Sequence, residues 1–191
     1  MRIQPTRASL LALLLLAPFA HPQAPTKAEP PATLRSILLN QLQSTHDKAE
    51  WFVPVNTAIA NLTPEQARWI PKSETPNPAP ADHSVGMLAY HLLFWNTNAL
   101  ARFKGEKTPP TPDDNNETFN KFDATSWSQT VQKLDAVLTA WEQAVLSADE
   151  ATLQKNATTI AHIGTHNAYH TGQIIEIRKL QGSWDPAKGV K

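Results

Sequence analysis

TLQKNATTIAHIGTHNAYHTGQIIEIRKLQG, residues 152–182, reads as one long helix. Ile163, Ile174 and Ile177 fall at helical spacing, and Gly182 stands where glycine commonly ends a helix. His162, His166 and His170 are each four residues apart within it. Residues four apart sit one turn up on nearly the same face. Two such imidazoles can reach one ion, which is why the H-x-x-x-H spacing recurs in zinc sites. Three cannot, because His162 and His170 would lie about 12 Å apart at ~1.5 Å per residue. His166 and His170 share the apolar stripe, together with Tyr169 and Gln173, and so form the candidate pair.

Outward from this helix, the chain continues to read as helical. A brief turn near Asp149 joins it to a helix opened by Ser126-Trp127-Ser128-Gln129, which has capping-box spacing, and continued by Val131, Leu134, Val137, Leu138, Trp141 and Val145. Residues 105–125 are polar, with Pro109, Pro110 and Pro112, and read as irregular. Before them, Ser84 to Lys104 forms a helix apolar nearly all round, closed by Gly105. His91 stands on it among Met87, Leu88, Phe94 and Trp95, where the pattern asks for a core residue. A buried imidazole needs a partner, and either a hydrogen bond or a metal ion would serve. The first long helix reads from Thr33 to about Asn61, bent at Pro54. A short extra helix follows, capped by Thr63 with Pro64 in its first turn and Gln66 closing the box.

Four long helices with one apolar stripe each give an all-α fold, a four-helix bundle over residues 33–191. The roughly 20 residues between the second and third long helices are enough to travel the bundle's length at about 3.3 Å per residue. That makes an up-down-down-up path available.

The N-terminus carries Arg2 and Arg7 and then the run Leu10 to Ala17, broken by Pro18. The run is shorter than the ~20 apolar residues a membrane span needs. A basic start before a short leucine-rich stretch is the pattern of a secretory signal. Residues 1–24 are therefore expected to be a signal peptide and 25–32, rich in Pro and Ala, a linker; the expected location is secreted or periplasmic. No later segment suits stable membrane insertion. Lys plus Arg and Asp plus Glu total 17 each, and the first twenty residues hold two of the basic ones and no acid. The remainder thus has 15 basic and 17 acidic side chains, near −2, which argues against a nucleic-acid partner. The chain has no cysteine, which excludes disulfides, thiolate ligands and a cysteine nucleophile.

Two segments carry a resemblance. His166-Asn167-Ala168-Tyr169-His170-Thr171-Gly172-Gln173-Ile174 resembles the C-terminal signature of the DinB-like superfamily, two histidines four apart followed by Gly-Gln. Ser84-Val85-Gly86-Met87-Leu88-Ala89-Tyr90-His91-Leu92 is similar to that family's second-helix signature, and the order of both fits the family across about residues 33–182. The resemblance implies an up-down-down-up four-helix bundle with a divalent metal held by His91, His166 and His170. It marks His162, Gln173 and Tyr169 as residues supporting the ligands. The family often has arginine after the last histidine; Thr171 stands there, which removes a cationic contact.

Three neutral imidazoles leave a coordination position open, the layout of a catalytic site. The expected function is a metal-dependent hydrolase or thiol S-transferase acting on a small molecule. The rival is a non-catalytic periplasmic metal- or ligand-binding bundle. Imidazole ligands suit zinc, nickel and iron alike. Asp47 and Glu50 are candidate general bases, an entrance onto the site would favour an enzyme, and a homodimer is allowed for.

Overall fold

A computed structural model describes residues 31–72 and 83–190, and the described residues from Ala32 onward form one contact-connected unit. The expected signal peptide and all but the end of the linker lie outside the described residues. Every regular element among the described residues is helical, and none is long and apolar enough to cross a membrane.

Helix α1 spans Leu34–His46, with Thr33 in a capping box with Ser36. It stops at Asp47, so the single bent helix expected from Thr33 to Asn61 is in fact two. Pro54 stands at the N-cap of a separate α2, Val55–Ile59, where a residue that cannot donate inside a helix is tolerated. The connecting residues carry Trp51 on the surface. Helix α3, Pro64–Arg68, forms as read, with reciprocal bonds between Thr63 and Gln66.

Helix α4, Val85–Lys104, starts at Ser84, whose hydroxyl accepts from the Met87 amide. It ends at Gly105 in the left-handed conformation, φ 70°. Gly86 lies against the Phe122 ring, in space that any Cβ would fill. That contact holds the following connection onto α4. The connection is not wholly irregular as expected: it contains α5, Glu117–Asn120, and a 3-10 turn at Ala124–Ser126.

Helix α6, Trp127–Ser147, lacks the capping box read at Ser126. The preceding 3-10 turn is capped by Asp123, and the Ser126 hydroxyl donates back to the Asp123 carbonyl instead. Helix α7, Glu150–Gln181, is capped by Asp149 and closed by Gly182 at φ 73°. The chain then folds back, burying Trp184 beside the Arg178 guanidinium.

The long helices pack as α1 on α6 and α7, and α4 on the same two. Two apolar clusters fill the interior. One gathers Leu88, Leu92, Trp127, Leu134 and Ile174 with α2 and α3; the other gathers Leu38, Leu42, Trp141, Val145 and Ile160. Between them runs a polar interval. On α7 the stretch from Ile163 to Ile174 holds His166, Asn167 and His170, and on α4 Asn96 lies between Leu92 and Leu100. Asn96 donates to the Asn167 side chain at 2.8 Å and both are fully buried.

Candidate metal centre

The polar interval opens to one side as a cavity of about 570 Å³. His91 of α4 and His166 and His170 of α7 stand together in its wall, each offering a ring nitrogen within 4.8 Å of the others. His91 Nε2 and His166 Nε2 are 3.1 Å apart. Tetrahedral ligation at ~2.0–2.1 Å would set donor nitrogens roughly 3.3 Å apart, so the spacing fits an ion.

The hydrogen-bond network decides which nitrogens are free. The Thr118 hydroxyl donates to the Asn115 carbonyl at 2.7 Å, so its oxygen accepts from His91 Nδ1 at 2.5 Å. That tautomer leaves a lone pair on His91 Nε2, facing the other histidines. His170 Nδ1 is bonded to Gln173 Oε1 at 2.6 Å, and the Gln173 amide nitrogen donates to the Tyr169 hydroxyl at 3.4 Å. Nε2 of His170 is free in the same way. Such outer partners orient metal-bound imidazoles and raise their basicity.

Electrostatics keep the rings neutral. Burial, then the neighbouring His170, His166 and His83, push His91 down to about 3. Burial and His170 push His166 down to about 4, and burial also lowers His170. Neutral imidazole is the form that binds metal.

The expected supporting residues divide. Gln173 touches His170 directly. Tyr169 is on the surface, not inward as its place in the stripe suggested; it forms a cavity wall with its ring 4.9 Å from that of His170. His162 also lines the cavity but is exposed and outside the three-nitrogen group. Thr171 is buried, its hydroxyl donates to the Asn167 carbonyl, and it lines a different hollow beside Phe52. Thr171 itself does not line the cavity over the histidines. Asp47 and Glu50 do not line that cavity; Glu50 is bound by Lys48 and Asn40.

Sequence reasoning missed Thr118 and Phe119. Phe119 stacks on His91 with centroids 3.8 Å apart and planes within 7°, and it also meets the rings of His83 at 4.0 Å and His170 at 6.1 Å. Both residues sit on α5, four residues long, too short to show a period.

A second histidine group lies elsewhere. His46, at the end of α1, bonds to Glu142 at 2.6 Å and to Asp135 at 2.9 Å, and with Asp47 and Glu142 it also brings three donor atoms within 4.8 Å. Both of its ring nitrogens already have carboxylate partners.

The molecule is thus a helical protein with three neutral imidazoles converging beside an open cavity. A sequence profile of the DinB superfamily matches residues 55–174, and the chain belongs to that superfamily. The match includes all three converging histidines. No curated protein and no solved structure matches the chain.

Proposed function

We propose that this is an exported metal-dependent enzyme, a hydrolase or thiol S-transferase acting on a small molecule, with a divalent zinc, nickel or iron ion held by His91, His166 and His170. The observation that carries the reading is the convergence of three neutral imidazoles in the wall of an open cavity, two of them, His91 and His170, oriented by hydrogen bonds from outside the group. The cavity supports access to the histidines, with Trp95 and Tyr169 among the residues that line it. A divalent ion supplies Lewis acidity there, polarising a substrate oxygen or lowering the pKa of a bound thiol or water. The protein's own part is to orient the imidazoles, exclude bulk water behind Phe119 and position substrate along the aromatic walls.

We read the framework as an up-down-down-up four-helix bundle. The side-chain pairs support this. Arg35 reaches Val145 and Glu150 while His46 reaches Asp135 and Glu142, so α1 runs against α6 and along α7. His91 pairs with His166, and Leu88 shares a hollow with Gln173, so α4 runs against α7.

No carboxylate lines the cavity among the described residues, and this favours the thiol branch, in which the ion itself activates the nucleophile. The hydrolytic branch would place His162 as proton acceptor. The same lining keeps a non-catalytic binding role as the second reading. Export rests on the leader pattern of residues 1–24.

The test is metal content of the purified protein after reconstitution, beside the double variant His166→Ala, His170→Ala. About one equivalent in the wild type and none in the variant supports the site; none in either overturns it. Thiol-transfer and hydrolysis screens of the loaded protein, with chelator controls, then separate an enzyme from a binding protein.

A further inference from the structure

The cavity's walls differ from its metal-facing floor in a way that selects a ligand. No Lys, Arg, Asp or Glu lines it among the described residues. Three neutral imidazoles contribute no charge, so a divalent ion among them would keep its full charge of 2+ beside walls of low polarity. An uncompensated charge in such surroundings is costly and strongly favours an anionic partner.

Among the wall residues, Trp95 and Tyr169 are aromatic. Trp95 donates its indole N–H to Asn115 Oδ1 at 3.2 Å, which uses its polar end and leaves the ring body as surface. Its ring centroid is 6.4 Å from that of His91. From α7, Tyr169 lies 4.9 Å from His170, and Ile163 is buried below. Trp95 and Tyr169 therefore line the cavity from two different helices, each beside one of the histidines, and the cavity of about 570 Å³ is large enough to hold an aromatic ring. Aromatic pairs gain beyond simple burial.

We infer that the cavity takes a monoanion with a flat apolar body: one anionic donor atom group toward the histidines and a ring against Trp95 and Tyr169. The inference rests on the metal reading above and adds the ligand class to it.

The test uses the zinc-loaded chain with metal content measured before and after titration, and three probes: benzohydroxamate, acetohydroxamate and benzylamine. Calorimetry should show benzohydroxamate binding at least about tenfold tighter than acetohydroxamate, the ring's burial being worth that much. Benzylamine, with the ring but a cationic head group where a metal-bound hydroxamate supplies an anionic donor, should give no measurable binding. Trp95→Ala should cut the advantage of the ring to about threefold or less, with metal content unchanged. Should Trp95→Ala misfold, Tyr169→Ala at its exposed position gives the same readout. Equal affinity for the two hydroxamates on a metal-loaded protein, or tight benzylamine binding, overturns the ligand class and leaves the metal site standing. A protein that holds no zinc overturns both, and the metal assay tells the two failures apart.

Discussion

His46 and His91 are both 3% exposed, and each follows apolar residues along a long helix, yet the fold treats them as opposites. Burial pushes both pKa values down. At His46, hydrogen bonds donated to Glu142 and Asp135, with the charges of Glu142 and Asp47, outweigh burial and leave the value raised. At His91 the neighbours are other histidines, so charge and burial act together and the value falls to about 3. Burial alone does not set the protonation state of a histidine; the partners do. One group is a cation clamped between α1 and α6 by carboxylates. The other is a set of lone pairs without a counter-charge, suited to accept an ion.

The contrast can be broken first at the metal ligands. His170→Ala should weaken metal binding by about two to three orders of magnitude in competition with a chromophoric chelator, more than loss of an outer partner costs. It should leave the response of the His46 clamp to pH unchanged. Next in size, His46→Ala should destabilise the fold by about 2–3 kcal/mol in urea titration. Removing one partner of a buried pair costs 3–5 kcal/mol or so, and Asp135 is half exposed. Metal stoichiometry should not change in that variant.

The pH dependences of the two groups should have opposite signs. His46 has a folded pKa above its unfolded value, so its stabilisation is complete below about 6.5 and is lost as pH rises through the folded value. His91 and His166 have depressed values, so the metal-free protein should lose stability as pH falls from about 6.5 toward about 4 and about 3. Melting temperatures across pH would show both limbs, and His46→Gln should remove only the alkaline one. The smallest effect is expected at the outer partner. Thr118→Val removes the acceptor for His91 Nδ1–H and should weaken metal binding about tenfold.

The parts of this molecule that could be read from sequence are those built on local chemistry. Ser84, Thr63, Gly105 and Gly182 end or start helices by contacts within a few residues, and all four behave as read. Ser126 did not, because Asp123 takes over the capping from outside the expected window. Pro54 reads as a bend in one long helix, but α1 has already stopped at His46, where nothing local marks an end. His166 and His170 were legible from their spacing, and His91 from its place on an apolar helix. Thr118 and Phe119 were not, because a short helix in a proline-rich connection carries no periodic signal. His46 ranks below the three site histidines as a ligand candidate from sequence, but it continues the four-residue series Leu38, Leu42, and so occupies a core position. Its partners lie about 90 residues away on α6, beyond any local pattern.

The central claim is that the ion belongs to the neutral histidine group and not to the carboxylate-bound one. Anomalous diffraction at the metal edge, from crystals of the reconstituted protein, tests it most directly. The expected result is one peak about 2.0–2.1 Å from a ring nitrogen of each of His91, His166 and His170. A peak beside His46, Asp47 and Glu142 with none at the three histidines would contradict it.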